Sequence, residues 1–194
     1  MIEFAPWPKT PRLFRDVVIT EKIDGTNAAV HIAEAGPAGG IHVDGGVYQI
    51  GAQSRKRLIS PLDDNFGFAS WVAKNADGLV RALGVGVHYG EWWGSGIQCG
   101  YGLPAGDKRF SLFNVNRWIG TEFMVPGLGV VPLLYEGPLV LTVVDDCLGE
   151  LRQNGSHAAP GYTHPEGVIV WHTAARQAFK VLLDNDALPK GLAA

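Results

Sequence analysis

At 194 residues, 46% of them apolar and 18% charged, the chain has the size and composition of one globular domain or barely two small ones. No apolar run approaches the ~20 residues that span a bilayer, and Met1-Ile2-Glu3-Phe4 lacks the basic-then-apolar order of a secretory leader. A net charge of −3 counts against a protein that grips long duplexes by charge alone, but not against an enzyme whose few basic residues converge on one phosphate.

The opening stretch, residues 4–11, is punctuated by Pro6, Pro8 and Pro11 and is expected to run extended over the surface. Val17-Val18-Ile19 then reads as a β-branched strand and Ala28-Ala29-Val30-His31-Ile32 as another. Between them lies Thr20-Glu21-Lys22-Ile23-Asp24-Gly25-Thr26-Asn27, too short for a helix. Lys22 is thus displayed where a strand ends, between two carboxylates and ahead of a glycine that permits a tight turn. A lysine amine is a poor nucleophile while it is an ammonium, and neighbouring carboxylates favour that form. A nucleophilic Lys22 therefore requires cationic company that arrives with a substrate.

Residues 33–46, with five glycines, read as a loop or hairpin end, and 47–53 alternate as a strand. Gln53-Ser54-Arg55-Lys56-Arg57 follows with three consecutive basic residues. From Asp63 to Leu83 the apolar residues fall at three- and four-residue steps, which predicts one long helix started by Asp63 or Asp64 and ended by Gly84. Strands are expected at 86–92, 109–115, 129–135, 139–144, 167–172 and 178–183. Short strands with one inserted helix, and no linker, predict a single α+β domain over 1–194 with mainly antiparallel sheets.

Several of these strands carry polar residues at their ends. Gly90-Glu91 sets one carboxylate beside a glycine, where a ligand can approach the backbone. Arg109-Phe110-Ser111-Leu112-Phe113-Asn114 alternates as a sheet strand does, with Phe110 and Leu112 on one face and Ser111 and Phe113 on the other. Pro165-Glu166-Gly167 is a turn that opens a β-branched strand, and Lys180 lies within the apolar run Phe179-Lys180-Val181-Leu182-Leu183. Cys99 and Cys147 make neither a framework nor a metal spacing and are expected to be free thiols in a reducing cytoplasm, and the six histidines show no zinc-ligand spacing.

Lys22-Ile23-Asp24-Gly25 resembles motif I of the covalent nucleotidyltransferases, the DNA and RNA ligases and the mRNA capping enzymes. Arg55, Glu91, the Phe110–Asn114 run, Glu166-Gly167 and Lys180 resemble the later motifs of that superfamily, in the same order. Thr26-Asn27 after the glycine, and Glu21 before the lysine, are similar to ATP-dependent RNA ligases of the T4 phage ligase 2 type.

The resemblance implies a nucleotidyltransferase fold, a ligase core of ATP-grasp-like kind. It implies that Lys22 attacks the α-phosphate of ATP to give lysyl-AMP, whose adenylyl group passes to a 5′-phosphate end before a 3′-hydroxyl seals it. Glu21, Asn27, Arg55, Glu91, Phe110 and Phe113 would bind the nucleotide, with Phe110 the preferred base platform and Phe113 close behind. Asp24 and Glu166 would organise Mg²⁺ or Mn²⁺ and its water, Asp24 alternatively assisting at the 3′ end, and Lys180 would neutralise the α-phosphate.

Two departures stand out. Leu182 occupies the place of a second motif V lysine, leaving Lys190 to supply that charge, and few residues follow motif V, so no appended C-terminal domain is expected. The rival readings are a small DNA ligase, an end-adenylylating enzyme that does not seal, and a silent nucleotide- or RNA-binding module.

Overall fold

A computed structural model describes residues 1–36 and 39–184. Its strands are β1 (Asp16–Lys22), β2 (Thr26–Glu34), β3 (Ile41–Val43), β4 (Gly46–Ser54), β5 (Leu58–Ile59), β6 (Gly86–Gly94), β7 (Lys108–Leu112), β8 (Leu128–Val130), β9 (Leu133–Pro138), β10 (Gly167–His172) and β11 (Gln177–Leu182). The helices are α1 (Phe68–Lys74), α2 (Ala76–Leu83), α3 (Val115–Trp118) and α4 (Val143–Asn154). One sheet runs β11-β10-β1-β9, the other β3-β4-β2-β6-β7-β8 with β5 on β4, and the only parallel pair described is β7 with β8. The expected α+β class with mainly antiparallel sheets is what the chain adopts.

β1 and β2, on either side of the Lys22 segment, do not pair with each other. β1 lies between β9 and β10 in the first sheet, β2 between β4 and β6 in the second. Residues 23–25 are therefore the crossing between sheets rather than a hairpin turn. The crossing is tight, because a Cβ on Gly25 would lie 2.6 Å from the Trp92 carbonyl oxygen and 2.8 Å from the Trp93 Cβ. Glycine is required there for close approach.

Each sheet buries one face under helices. Ala28, Val30, Ile32 and Ala52 of the second sheet pack on Phe68, Val72, Leu79 and Leu83 of α1 and α2. Val17, Ile19, Val168 and Val170 of the first pack on Val143, Cys147, Leu148 and Leu151 of α4. The two-residue period of each strand then turns the alternate side chains toward the opposite sheet.

The single long helix is not what forms. The 63–83 periodicity is real, but the chain breaks at Asn75, whose backbone is non-helical (φ −108°, ψ 18°) and whose side-chain amide donates to the Trp71 carbonyl at 2.8 Å. An asparagine that hydrogen-bonds local backbone competes with the helix ladder. Asp64 does serve the start, accepting the N–H groups of Ala69 and Ser70 at 2.7 and 2.9 Å, and Gly84 ends α2 at φ 69°. These contacts hold the Asp64 carboxyl below the usual carboxylate range, against the opposing effect of burial.

The longest described helix is instead α4, which begins inside the expected 139–144 strand. Its β-branched start suggests a strand, yet Val143, Cys147, Leu148 and Leu151 recur at helical spacing and cover the first sheet, so packing outweighs local propensity. Pro132 divides the expected 129–135 strand into β8 and β9.

Candidate active site

The faces of the two sheets not covered by helices enclose a cleft of about 1450 Å³. Strand alternation decides which side chains enter it. Along β1, Val17 and Ile19 face α4, while Val18, Thr20 and Lys22 line the cleft. On β10 and β11, Ile169, Trp171, Ala178, Lys180 and Leu182 line it, and on β6 so do Val87, Tyr89 and Glu91. Asp24, Asn27, Arg55, Phe113 and Glu166 complete the set of sequence-expected residues on its walls.

Lys22 enters the cleft from the end of β1. Its Nζ donates to Glu166 Oε2 in an ion pair whose members are 22% and 28% exposed. Lys22 is opposite Gly167 in the β1–β10 register, so Glu166, one residue before it, reaches the amine from the neighbouring strand end. Asp24 leaves the strand next to Lys22, and its N–H donates to the Tyr101 hydroxyl at 2.8 Å.

Glu91 is 8% exposed and opposite Asn27 in the β2–β6 register. Asn27 Nδ2 donates to Glu91 Oε2 at 2.9 Å, and the Gly25 N–H also donates to this carboxylate. Burial, opposed by the nearby Lys22 ammonium and reinforced by Glu166 and Asp24, lifts the Glu91 carboxyl to about 7. A carboxylate close to balance between its two forms is sensitive to whatever enters the cleft.

Lys180 is exposed on β11, opposite Ile169, and Leu182 faces the same cleft two residues on. Lys190, the candidate replacement for the second motif V lysine, lies outside the described residues.

Two expected site residues are corrected. Phe110 is 0% exposed and absent from the cleft wall; it packs in the core with ring centroids 5.0 Å from Phe68 and 5.8 Å from Trp71. It fills space above Gly90, where a Cβ would come within 2.7 Å of its ring, so Gly90 serves core packing and not the close approach of a ligand. Phe113, 41% exposed, lines the cleft, as do the exposed rings of Tyr89 and Trp171.

Glu21 is the second. Its strand position contributes to the wall, but its carboxylate is 1% exposed and engaged behind it. Ser156 Oγ donates to Oε1 at 2.5 Å, and the His157 and Ala158 N–H groups donate to Oε2 at 2.8 and 2.9 Å. Burial pushes the carboxyl up, and these hydrogen bonds offset part of that.

Sequence reasoning missed Tyr101 and Arg117. Tyr101 lies in the glycine-rich 94–102 stretch at φ 53°, with its ring buried against Trp93 and Tyr162, and no local pattern marks it. Burial drives its hydroxyl far above the normal tyrosine range, so it stays protonated and neutral. Arg117, on α3, lines the cleft with its guanidinium 4.4 Å over the Trp118 ring, and a lone arginine on a four-residue helix carries no signal in sequence.

Residues 15–182 match the family of RNA ligases. The chain belongs to the RNA ligase family. Solved structures agree with this RNA ligase fold. Two point mutants of the Naegleria gruberi RNA ligase, each with ATP and Mn, superpose with TM-scores of 0.56 at 16% identity, covering 88% of this chain and 50% of theirs. A third mutant of that enzyme with ATP and Mn gives 0.53 at 18% identity, covering 87% and 50%. This RNA ligase family member thus spans about half the length of the solved ligases it matches. No curated protein matches the sequence. Among the described residues, no helix is long and apolar enough to cross a membrane.

Proposed function

We propose that this RNA ligase family member is an ATP-dependent enzyme that becomes adenylylated on Lys22 and joins 5′-phosphate to 3′-hydroxyl polynucleotide ends, RNA in preference. The observation that carries the reading is the convergence of Lys22, Asp24, Glu91, Glu166 and Lys180 on one cleft from both sheets. A binding module has no need of an amine held against a carboxylate in such a set.

In the first step the Lys22 Nζ lone pair forms a bond to the α-phosphorus while the bond to the bridging oxygen breaks and pyrophosphate leaves. Glu166, in contact with the ammonium, is the group positioned to receive its proton. Lys180 offers positive charge to the α-phosphate oxygens, and such fixed electrostatics carry most phosphoryl-transfer catalysis. Glu91, oriented by Asn27, accepts ribose hydroxyls, and Phe113 presents a flat face to the purine, worth ~1–3 kcal/mol. Arg55, at the rim after β4, reaches the ribose. The adenylyl group then transfers from Lys22 to the oxygen of a 5′-phosphate, and a 3′-hydroxyl displaces AMP from that end.

The donor set suits a divalent cation. Among the described residues no three His, Cys, Asp or Glu side chains form a cage, but Mg²⁺ or Mn²⁺ asks for only one or two carboxylates plus phosphate oxygens, which Glu166 and Asp24 can provide. Bound there, the cation would supply positive charge to the phosphate oxygens.

Incubation with α-labelled ATP and Mg²⁺ or Mn²⁺ tests the proposal. Covalent label released by acid but not base, and lost in Lys22→Ala, is the expected result. Label that persists in Lys22→Ala removes this residue from the chemistry. Sealing assays on nicked RNA, nicked DNA and hybrids distinguish an RNA ligase from a DNA ligase or an enzyme that only adenylylates ends.

A further inference from the structure

Glu21 and Lys22 are adjacent on β1 and therefore point to opposite faces. Lys22 meets Glu166 in the cleft, while Glu21 receives three hydrogen bonds from Ser156, His157 and Ala158 behind the sheet. Those three residues and Glu166 belong to one segment, the connection from α4 to β10. It begins at the Glu21 contact and ends at the partner of Lys22. Both ends of the segment are thus referred to the same two residues of β1.

The segment is closed on itself in between. Ser156 N donates to the Tyr162 carbonyl at 2.8 Å, Tyr162 N to the Ala159 carbonyl at 3.0 Å, and Ala159 N to Ser156 Oγ at 3.1 Å. The Tyr162 ring lies 4.7 Å from that of Tyr101, whose hydroxyl takes the Asp24 N–H. These bonds tie residues 156–162 into one folded unit, which is joined to Glu166 through residues 163–165 and touches the Asp24 partner Tyr101 through the Tyr162 ring.

Building on the proposed Lys22 chemistry, we propose that Glu21 is a positioning residue: by clamping residues 156–158 it sets where Glu166 stands relative to Lys22. It is not a nucleotide ligand. Glutamine keeps the size of the side chain but removes its charge and replaces the oxygen that accepts the Ser156 hydroxyl with an NH2 donor, so the charged three-bond clamp is lost even where the remaining oxygen stays on the His157 and Ala158 N–H groups. A clamp broken this way lets the segment shift, and misplacement of about 1 Å in an active site can cost ~100-fold in rate.

The test compares wild type, Glu21→Gln and the milder Ser156→Ala, each shown to be folded by circular dichroism at the assay temperature. Single-turnover labelling with α-labelled ATP and Mg²⁺ is followed over a range of ATP concentrations. The maximal rate is expected to fall by about tenfold to 100-fold in Glu21→Gln and less in Ser156→Ala, with half-saturating ATP within about twofold of wild type. The double variant should be no slower than Glu21→Gln alone, because both remove one clamp. A rise in half-saturating ATP at unchanged maximal rate would make Glu21 a nucleotide contact, and an unchanged rate in folded protein would make the clamp structural only; either overturns the inference.

A second readout needs no turnover. In protein without ATP, the Lys22 ammonium resonance held by Glu166 should shift in Glu21→Gln, as it should in Glu166→Gln. An unmoved resonance refutes the positioning role even if Lys22 labels normally. Failure of wild type to label would refute the Lys22 chemistry instead and leave this spectral result standing.

Discussion

Lys22 and Glu166 are joined side chain to side chain although they lie 144 residues apart in the chain. The antiparallel pairing of β1 with β10 produces the contact, because it sets Lys22 opposite Gly167. A partly exposed pair of this kind contributes little to stability, ~0–1 kcal/mol. Glu166→Gln should therefore leave the thermal midpoint within a few degrees of wild type while reducing labelling of Lys22 by about 100-fold or more, the scale set by losing an electrostatic partner in an active site. Calorimetry together with the ATP-labelling assay checks both halves.

Glu91 gives a pH dependence of known sign. Its carboxyl is raised in the folded protein to about 7, so the folded state binds this proton more tightly than the unfolded chain. Its contribution to stability is present in full below the unfolded carboxylate value near 4.5 and is lost as the pH rises through about 7. The proposed ribose contact would run the other way, since only the ionised carboxylate accepts two hydroxyls. Affinity for AMP, which cannot label Lys22, should rise as pH passes about 7 and show no such step in Glu91→Gln. Titration by intrinsic fluorescence reads this directly, and a step that survives the substitution assigns the titration elsewhere.

Phe110 and Phe113 separate by role. Phe110→Ala empties a fully buried aromatic site and should cost ~3–5 kcal/mol of stability, seen in denaturant unfolding. Phe113→Ala should change stability little and weaken nucleotide binding by ~1–3 kcal/mol, a loss of roughly fivefold to 150-fold. Reversal of these two outcomes would restore Phe110 as the base platform.

Lys180 and Leu182 share the cleft-facing side of β11. Lys180→Ala should slow labelling by about 100-fold. Leu182→Lys, which adds a cation to the same wall, should speed labelling in the wild-type background and recover part of the loss in Lys180→Ala. Single-turnover rates of the four proteins decide it; a slower Leu182→Lys enzyme would mean that the apolar side chain serves binding.

Gly25→Ala is expected to damage both fold and chemistry. Its Cβ would fall 2.6 Å from the Trp92 carbonyl oxygen, so the crossing between sheets must shift and carry Asp24 with it. A lowered unfolding midpoint with labelling reduced by about tenfold or more is the expected pair of effects. Normal midpoint and normal labelling together would show that the crossing tolerates a side chain.

Local patterns were enough for most strands, for the family motifs and for the order in which they occur. Strand alternation put Phe110 and Leu112 together in one core cluster, because a period of two depends only on neighbours along the chain. Which of those faces met the cleft was another matter. It followed from the crossing of β1 and β2 into different sheets and from where α1, α2 and α4 lay down, and so Phe110 went to the core and Glu21 turned to the 156–158 loop. The start of α4, strand-like by its β-branched residues, became helix because its apolar stripe had a sheet to cover. A chain's own chemistry names the residues capable of a reaction; contacts between segments far apart in sequence choose among them, since burial and hydrogen bonding are properties of the neighbours a side chain acquires only on folding.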